Sequence, residues 1–324
     1  MTDKDIHDFL SQQSHIDKDV ETGIVFAGGG AKGAYQIGVI KALQENGYLN
    51  NVKAMSGTSI GCINSMLYAM DDIDNMIEAW ADINLSTVFS LDVSGTINSG
   101  ISFSREELLK TSEKYIDYDK LKNGKYDIFS TICMIGADKY GTETVAEYRK
   151  LSDYDTDTIK KIMLASTALP VIYEPVEIAG KYYRDGGLCD NVPIKPIYEL
   201  GLKRIIVIET HHDAKINPEK WPDTEIIPIV PSYDLGDIVT GTLDFTEKSI
   251  EFKKMLGYKD GIRAIKTQFE KNEIYIRMEK MLAQNDLNEI NMTLRTAMTV
   301  NTMEKSISSN IDKFNKLAEK YENY

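Results

Sequence analysis

Gly23-Ile24-Val25-Phe26-Ala27 runs straight into Gly28-Gly29-Gly30-Ala31-Lys32-Gly33, and this is the stretch on which the fold turns. A short apolar strand is followed by a cluster of glycines. A helical pattern then extends over about 34–46, with Ile37, Ile40 and Leu43 recurring every three residues and Gly47 as its stop. The same phrase repeats at once: a strand over about 52–56 enters Gly57-Thr58-Ser59-Ile60-Gly61, and a second helical stretch runs to about Met70. Strand, tight turn and helix, twice over, imply an α/β fold with a parallel sheet covered by helices.

Further along, the spacing predicts a helix near 105–118, a strand at 128–135, a helix ending at 166–170, and a fully apolar strand at 204–208. Pro218, Pro222, Pro228 and Pro231 mark a loop-rich stretch. From about Thr246 the chain is free of proline and rich in Lys, Glu, Met and Leu. It carries 14 basic and 12 acidic side chains there, so the first 245 residues hold a net charge of −15. Three regions are expected: a polar lead-in over 1–22, a catalytic domain over 23–245 and a helical C-terminal region over 246–324.

The whole chain has 324 residues, 42% apolar and 27% charged, which suffices for a substantial core and excludes a disordered or collagen-like protein. Its 37 basic and 50 acidic residues give −13, which argues against a nucleic-acid partner and against purely electrostatic adsorption to anionic lipid. Cys62, Cys133 and Cys189 are odd in number, far apart and without C-x-x-C spacing, so a reduced cytoplasm is the expected compartment. The acidic, polar start lacks the features of a secretory signal, and no apolar run reaches the length of a membrane span. A soluble protein is expected.

Three glycine-bearing motifs carry chemistry. Consecutive glycines at 28–33, opening a helix, let backbone N–H groups approach an anionic oxygen. Gly28, Gly30 and Gly33 also satisfy G-x-G-x-x-G, but residues 47–57 contain no acidic residue to hold a ribose, and Lys32 is followed by Gly33 where a Walker A loop needs Ser or Thr. Gly57-Thr58-Ser59-Ile60-Gly61 is a G-x-S-x-G, in which small residues flank a turn so sharp that it lifts the Ser59 hydroxyl to the edge of the sheet. Asp185-Gly186-Gly187 aims a carboxylate from a turn, and an ordinary Asp-Gly turn describes those residues equally well.

A serine needs a base. His7 and His15 lie in the lead-in, whereas Ser59, Asp185 and His211 or His212 follow the order of an α/β-hydrolase triad. The other choice is a dyad in which Asp185 takes the proton directly and the glycine loop stabilises the oxyanion.

Together, in this order and spacing, the three motifs resemble the patatin-like phospholipase family. So do Ala165-Ser166-Thr167-Ala168-Leu169-Pro170 and Asn191-Val192-Pro193. The resemblance covers about 23–210. It implies a three-layer sandwich with a mostly parallel central sheet, and Ser59 as nucleophile with Asp185 as base. It further implies an oxyanion hole at Gly28, Gly29 and Gly30 supported by Lys32, elbow glycines Gly57 and Gly61, and Gly186 and Gly187 after the aspartate. The implied reaction is hydrolysis of a fatty-acyl ester of a lipid, with no metal and no cofactor. A lipid substrate implies transient peripheral contact with a membrane, for which 83–103 is a candidate lid and the basic residues after 246 a candidate docking or homo-oligomer face. An effector-regulated module on the same fold is the alternative of a different class.

Overall fold

The computed structural model describes residues 18–83, 90–91, 103–170, 172–285 and scattered positions from 288 to 311. The lead-in up to residue 17 and most of the candidate lid at 83–103 lie outside the described residues.

β1 (Thr22–Phe26) leads through the glycine loop into α1 (Ala34–Glu45), then β2 (Val52–Thr58) and α2 (Ile60–Tyr68). Asp72 caps α3 (Ile73–Asp82) by accepting the N–H groups of Asp74 and Asn75. A minimal pair, β3 (Ser90–Leu91) and β4 (Phe103–Ser104), precedes α4 (Glu106–Tyr115) and α5 (Tyr118–Asn123), the latter capped by Asp117. There follow β5 (Asp127–Gly136), β6 (Val145–Lys150), the Asp155-capped α6 (Thr156–Ser166), β7 (Val176–Ile178) and β8 (Lys181–Asp185). The short α7 (Lys195–Tyr198), β9 (Arg204–Ile208), β10 (Glu225–Ile229) and α8 (Glu247–Ala264) complete the series.

Eight strands form one mixed sheet in the order β10-β9-β1-β2-β5-β8-β7, with β6 also on β5. Strands β10, β9, β1, β2 and β5 are parallel; β6, β7 and β8 are antiparallel to their neighbours. Alternation along the strands feeds two cores: Ile24, Phe26, Ile206 and Ile208 enter the large one, and Val25, Ile205 and Val207 meet Ile197 of α7 in the small one. Helices on both faces make the three layers.

Register on β5 positions the site. Phe129, Ser130 and Thr131 pair with both β2 and β6, while Ile132, Cys133 and Met134 pair with both β6 and β8. A strand has only two edges, so β2 and β8 share one edge of β5 and meet end to end. Thr58, the last residue of β2, lies opposite Thr131; Asp185, the last of β8, lies opposite Ile132.

One feature differs from the sequence reading, and one bears on its division of the chain. Pro228 belongs to strand β10, not to a loop, because β10 is the edge strand and one of its sides needs no N–H donor. The shift in charge near 246 coincides with no break in packing: α8 lies against α1, and the first compact unit runs to Phe269, with a second over Glu270–Tyr324. No helix among the described residues is long and apolar enough to cross a membrane.

Candidate active site

The turn between β2 and α2 holds Ser59 at φ 55°, ψ −123°, a backbone state that costs a non-glycine residue about 1–3 kcal/mol. Neighbouring glycines permit it by close approach: a Cβ on Gly57 would stand 2.1 Å from the carbonyl oxygen of Gly61, and one on Gly61 would stand 2.1 Å from that of Phe26. The Ser59 N–H donates to Ser166 Oγ at 2.9 Å, which ties the elbow to the end of α6.

Asp185 is 3% exposed. Its Oδ1 accepts the Gly187 N–H at 2.8 Å, while the buried Oδ2 has no hydrogen-bond partner. Burial pushes the carboxyl up to about 6, against the opposing pull of the Ser59 hydroxyl and the Gly187 N–H. Ser59 therefore faces Asp185 closely enough to act on its charge, though short of a formed bond to Oδ2.

The segment after Asp185 knits the three motifs together. Thr58 Oγ1 donates to the carbonyl of Asp190 at 2.8 Å, Ser56 Oγ to that of Pro193 at 2.6 Å, and the Gly28 N–H to that of Asn191 at 3.1 Å. Tyr148 OH donates to Asp190 Oδ2 at 2.7 Å. A disulfide joins Cys189 to Cys133 of β5, with Cα atoms 5.8 Å apart. Spacing along the chain conceals this pair. It arises because β8 runs back along β5 and the turn after Asp185 returns Cys189 to that strand. Cys62 is the free, buried cysteine.

The glycine loop is narrower in its options than its sequence suggests. The Gly28 N–H is taken by Asn191, whereas among the described residues the N–H groups of Gly29 and Gly30 make no such bond. Gly30 sits at φ +56°, and a Cβ there would meet the Thr242 carbonyl oxygen at 2.4 Å, so only glycine fits. Gln36 Nε2 donates to the Ala27 carbonyl at 2.8 Å and braces the base of the loop. Lys32 is 4% exposed; desolvation lowers its pKa, against the raising effect of Asp234, Asp237 and Asp213.

Both histidines stand elsewhere. The His211 ring lies 3.4 Å from Thr210 Oγ1, and His212 Nδ1 lies 3.4 Å from Asp234 Oδ1; neither contacts Ser59 or Asp185 among the described residues. Beside Ser59 opens an apolar pocket lined by Ile60, Ile63, Leu108, Leu169, Tyr173 and Phe245, together with Gly30 and Thr242. Thr242 and Phe245 carry no motif, and only the folded chain brings them to the site; Ser166 and Asn191 belong to the two supporting blocks of the sequence, whose contacts with the elbow and the glycine loop only the fold shows. Among the described residues no cluster of His, Cys, Asp or Glu is arranged to hold a metal ion.

A family model described as patatin-like phospholipase matches residues 24–198. Lysophospholipase nte1 of Aspergillus terreus is 26% identical over 204 residues, 62% of this chain and 13% of that protein. Lysophospholipase NTE1 of Coccidioides immitis is 28% identical over 204 residues, 62% of this chain and 12% of that protein. The chain thus spans about an eighth of the length of the curated relatives it matches. Among solved structures, VipD from Legionella pneumophila matches with TM-score 0.48 and 14% identity, over 77% of this chain and 67% of that chain.

Proposed function

Because the chain belongs to the patatin-like phospholipase family, we propose that it is a serine lipid acyl hydrolase, which cleaves fatty-acyl esters of phospholipids or lysophospholipids through Ser59 and Asp185. The observation that carries this reading is the meeting of β2 and β8 on one edge of β5, where Ser59 faces a buried aspartate with an unpartnered oxygen.

In the acylation step Ser59 Oγ bonds to the ester carbonyl carbon while its proton passes to Asp185 Oδ2. The carbonyl oxygen, now an oxyanion, accepts the N–H groups of Gly29 and Gly30. Collapse expels the alcohol, which takes the proton from Asp185 and leaves an acyl-enzyme. Water then attacks, Asp185 accepts its proton, and fatty acid leaves as Ser59 regains a hydrogen. An ordinary aspartate is a weak base; desolvation makes Asp185 a better one, close to the range in which general bases work. The apolar lining of the pocket beside Ser59 matches the chemistry of an acyl chain. Surface contact with the lipid is peripheral and transient in this reading.

A serine-directed fluorophosphonate should label Ser59, as read by peptide mapping. Ser59→Ala and Asp185→Asn should each abolish hydrolysis of a fatty-acyl ester, while His211→Ala and His212→Ala retain at least half. An active Asp185→Asn beside an inactive His212→Ala would establish a triad instead. Asp185 must be ionised to accept a proton, so kcat/KM should fall below about pH 6.

A further inference from the structure

Between β10 and α8 the chain exposes two neighbouring aliphatic side chains on a turn that cannot fold them away. Ile238 and Val239 are 70% and 71% exposed. Asp237 Oδ1 accepts the N–H groups of Val239 and Thr240 at 2.8 Å each and the Thr240 hydroxyl at 3.0 Å, and that hydroxyl accepts the Asp237 N–H at 3.2 Å. From below, the buried Lys253 ammonium donates to the carbonyls of Gly241 and Asp244 at 3.1 Å each. The turn is therefore clamped from both sides with its aliphatic tip outward. Tyr233 and Phe252, next in sequence to Asp234 and Lys253, are 64% and 42% exposed, and their rings meet edge to face at 6.1 Å.

The tip's location supplies its occupant. Thr242 and Phe245, at the base of the same turn, line the pocket that holds Ser59, and the Thr242 carbonyl lies against Gly30. Ile238 and Val239 thus project from the same turn whose following residues line that pocket. Apolar groups held out beside a site for fatty-acyl esters match an aggregated lipid surface. Charge selects the kind of surface. Asp213, Asp234 and Asp237 all act on Lys32 of the glycine loop, Asp237 being the residue before the tip, and the chain as a whole carries −13. An anionic bilayer repels such a face, whereas a zwitterionic one does not.

We propose that Ile238 and Val239 form an interfacial docking tip, which inserts into a zwitterionic lipid surface and sets the mouth of the Ser59 pocket on it. The inference deepens the lipid-hydrolase reading and rests on it for its purpose, but docking is measurable without catalysis.

The test uses full-length Ser59→Ala protein and flotation with dioleoylphosphatidylcholine vesicles. Adding Ile238→Ser and Val239→Ser should lower the vesicle partition coefficient about ten-fold or more, and Val239→Trp should raise it. Vesicles with a third of their lipid replaced by phosphatidylserine should bind less of the parent protein. In the background that retains Ser59, the double serine variant should hydrolyse a dissolved short-chain ester within two-fold of the parent rate and lose activity on vesicles. Equal flotation of parent and double serine variant overturns the proposal, as does tighter binding to the anionic vesicles. A parallel loss on the dissolved ester also overturns it, since the tip would then act on the pocket itself. Protein that floats as predicted but hydrolyses no ester keeps the docking tip and removes the hydrolase reading; protein that hydrolyses esters without floating does the reverse.

Discussion

Asp185 is held in a state that disfavours the charge its proposed role requires. Its pKa rises from about 4 in the unfolded chain to about 6 in the folded one, so the carboxylate's contribution to stability is intact below pH ~4 and is lost as pH rises through 6. Above that range the penalty is on the order of 3 kcal/mol, since one unit corresponds to about 1.4 kcal/mol. Asp185→Asn should therefore be inactive yet more stable than the parent at pH 8, by up to about 3 kcal/mol, with the gain gone near pH 4. Urea unfolding at the two pH values reads this directly, and a variant that loses stability at pH 8 would contradict it. Stored cost of this kind marks a residue kept for chemistry. The unmatched Oδ2 is its visible trace.

At the level of elements, the site depends on junctions. Ser59 and Asp185 stand out in the sequence as candidates because each sits in a glycine frame that few backbone paths demand. The choice of base is not legible, since the order Ser59, Asp185, His212 fits a triad equally well; in the fold the β5 register brings Asp185 beside the serine elbow, while His211 and His212 pair with Thr210 and Asp234. The Cys133–Cys189 bond is hidden for the same reason: it depends on an antiparallel return that spacing does not reveal. Strands β6 and β7 escape because they are half-buried or exposed and the latter has three residues, and β10 because a proline reads as a loop. The disulfide closes the loop containing Asp185, so Cys189→Ser should lower stability by about 2–4 kcal/mol. Dithiothreitol should reproduce that loss in the parent and add nothing in the variant, as followed by urea unfolding. A second junction joins α1 to α8. A Cβ on Gly38 would stand 1.9 Å from the Lys254 carbonyl oxygen, and one on Gly257 1.9 Å from that of Tyr35, so the two helix backbones touch. Beside that crossing Asp260, 1% exposed, accepts the Ser232 N–H at 2.7 Å and Tyr35 OH at 3.2 Å. Asp260→Ala leaves the buried Tyr35 hydroxyl, and the half-covered Ser232 N–H, without their acceptor and should cost about 1–3 kcal/mol in urea unfolding.

Over the whole molecule, composition and structure divide the chain at different places. The charge shift at 246 reads as the start of a tail, but periodicity alone cannot say whether a helix packs on the core or stands apart from it. Packing assigns α8 to the first compact unit, which ends at Phe269. A chain ending at 269 should fold and retain ester hydrolysis, whereas one ending at 245 should lose α8, expose α1 and fail to give soluble, active protein. Circular dichroism and ester turnover on the two truncations check this. If the 269 truncation folds but is inactive, residues beyond it take part in catalysis or its control.

The end-to-end meeting of β2 and β8 also sets when activity can arise. Thr58 and Asp185 are separated by well over a hundred residues, and β1 completes its pairing only with β9, at residues 204–208. Such a topology has high contact order, and its closure comes late in folding. A ribosome-bound chain can thus carry its glycine loop and its serine elbow before Asp185 is in place, and so without the proposed activity. Competence can arise only once the strands through β9 are all present.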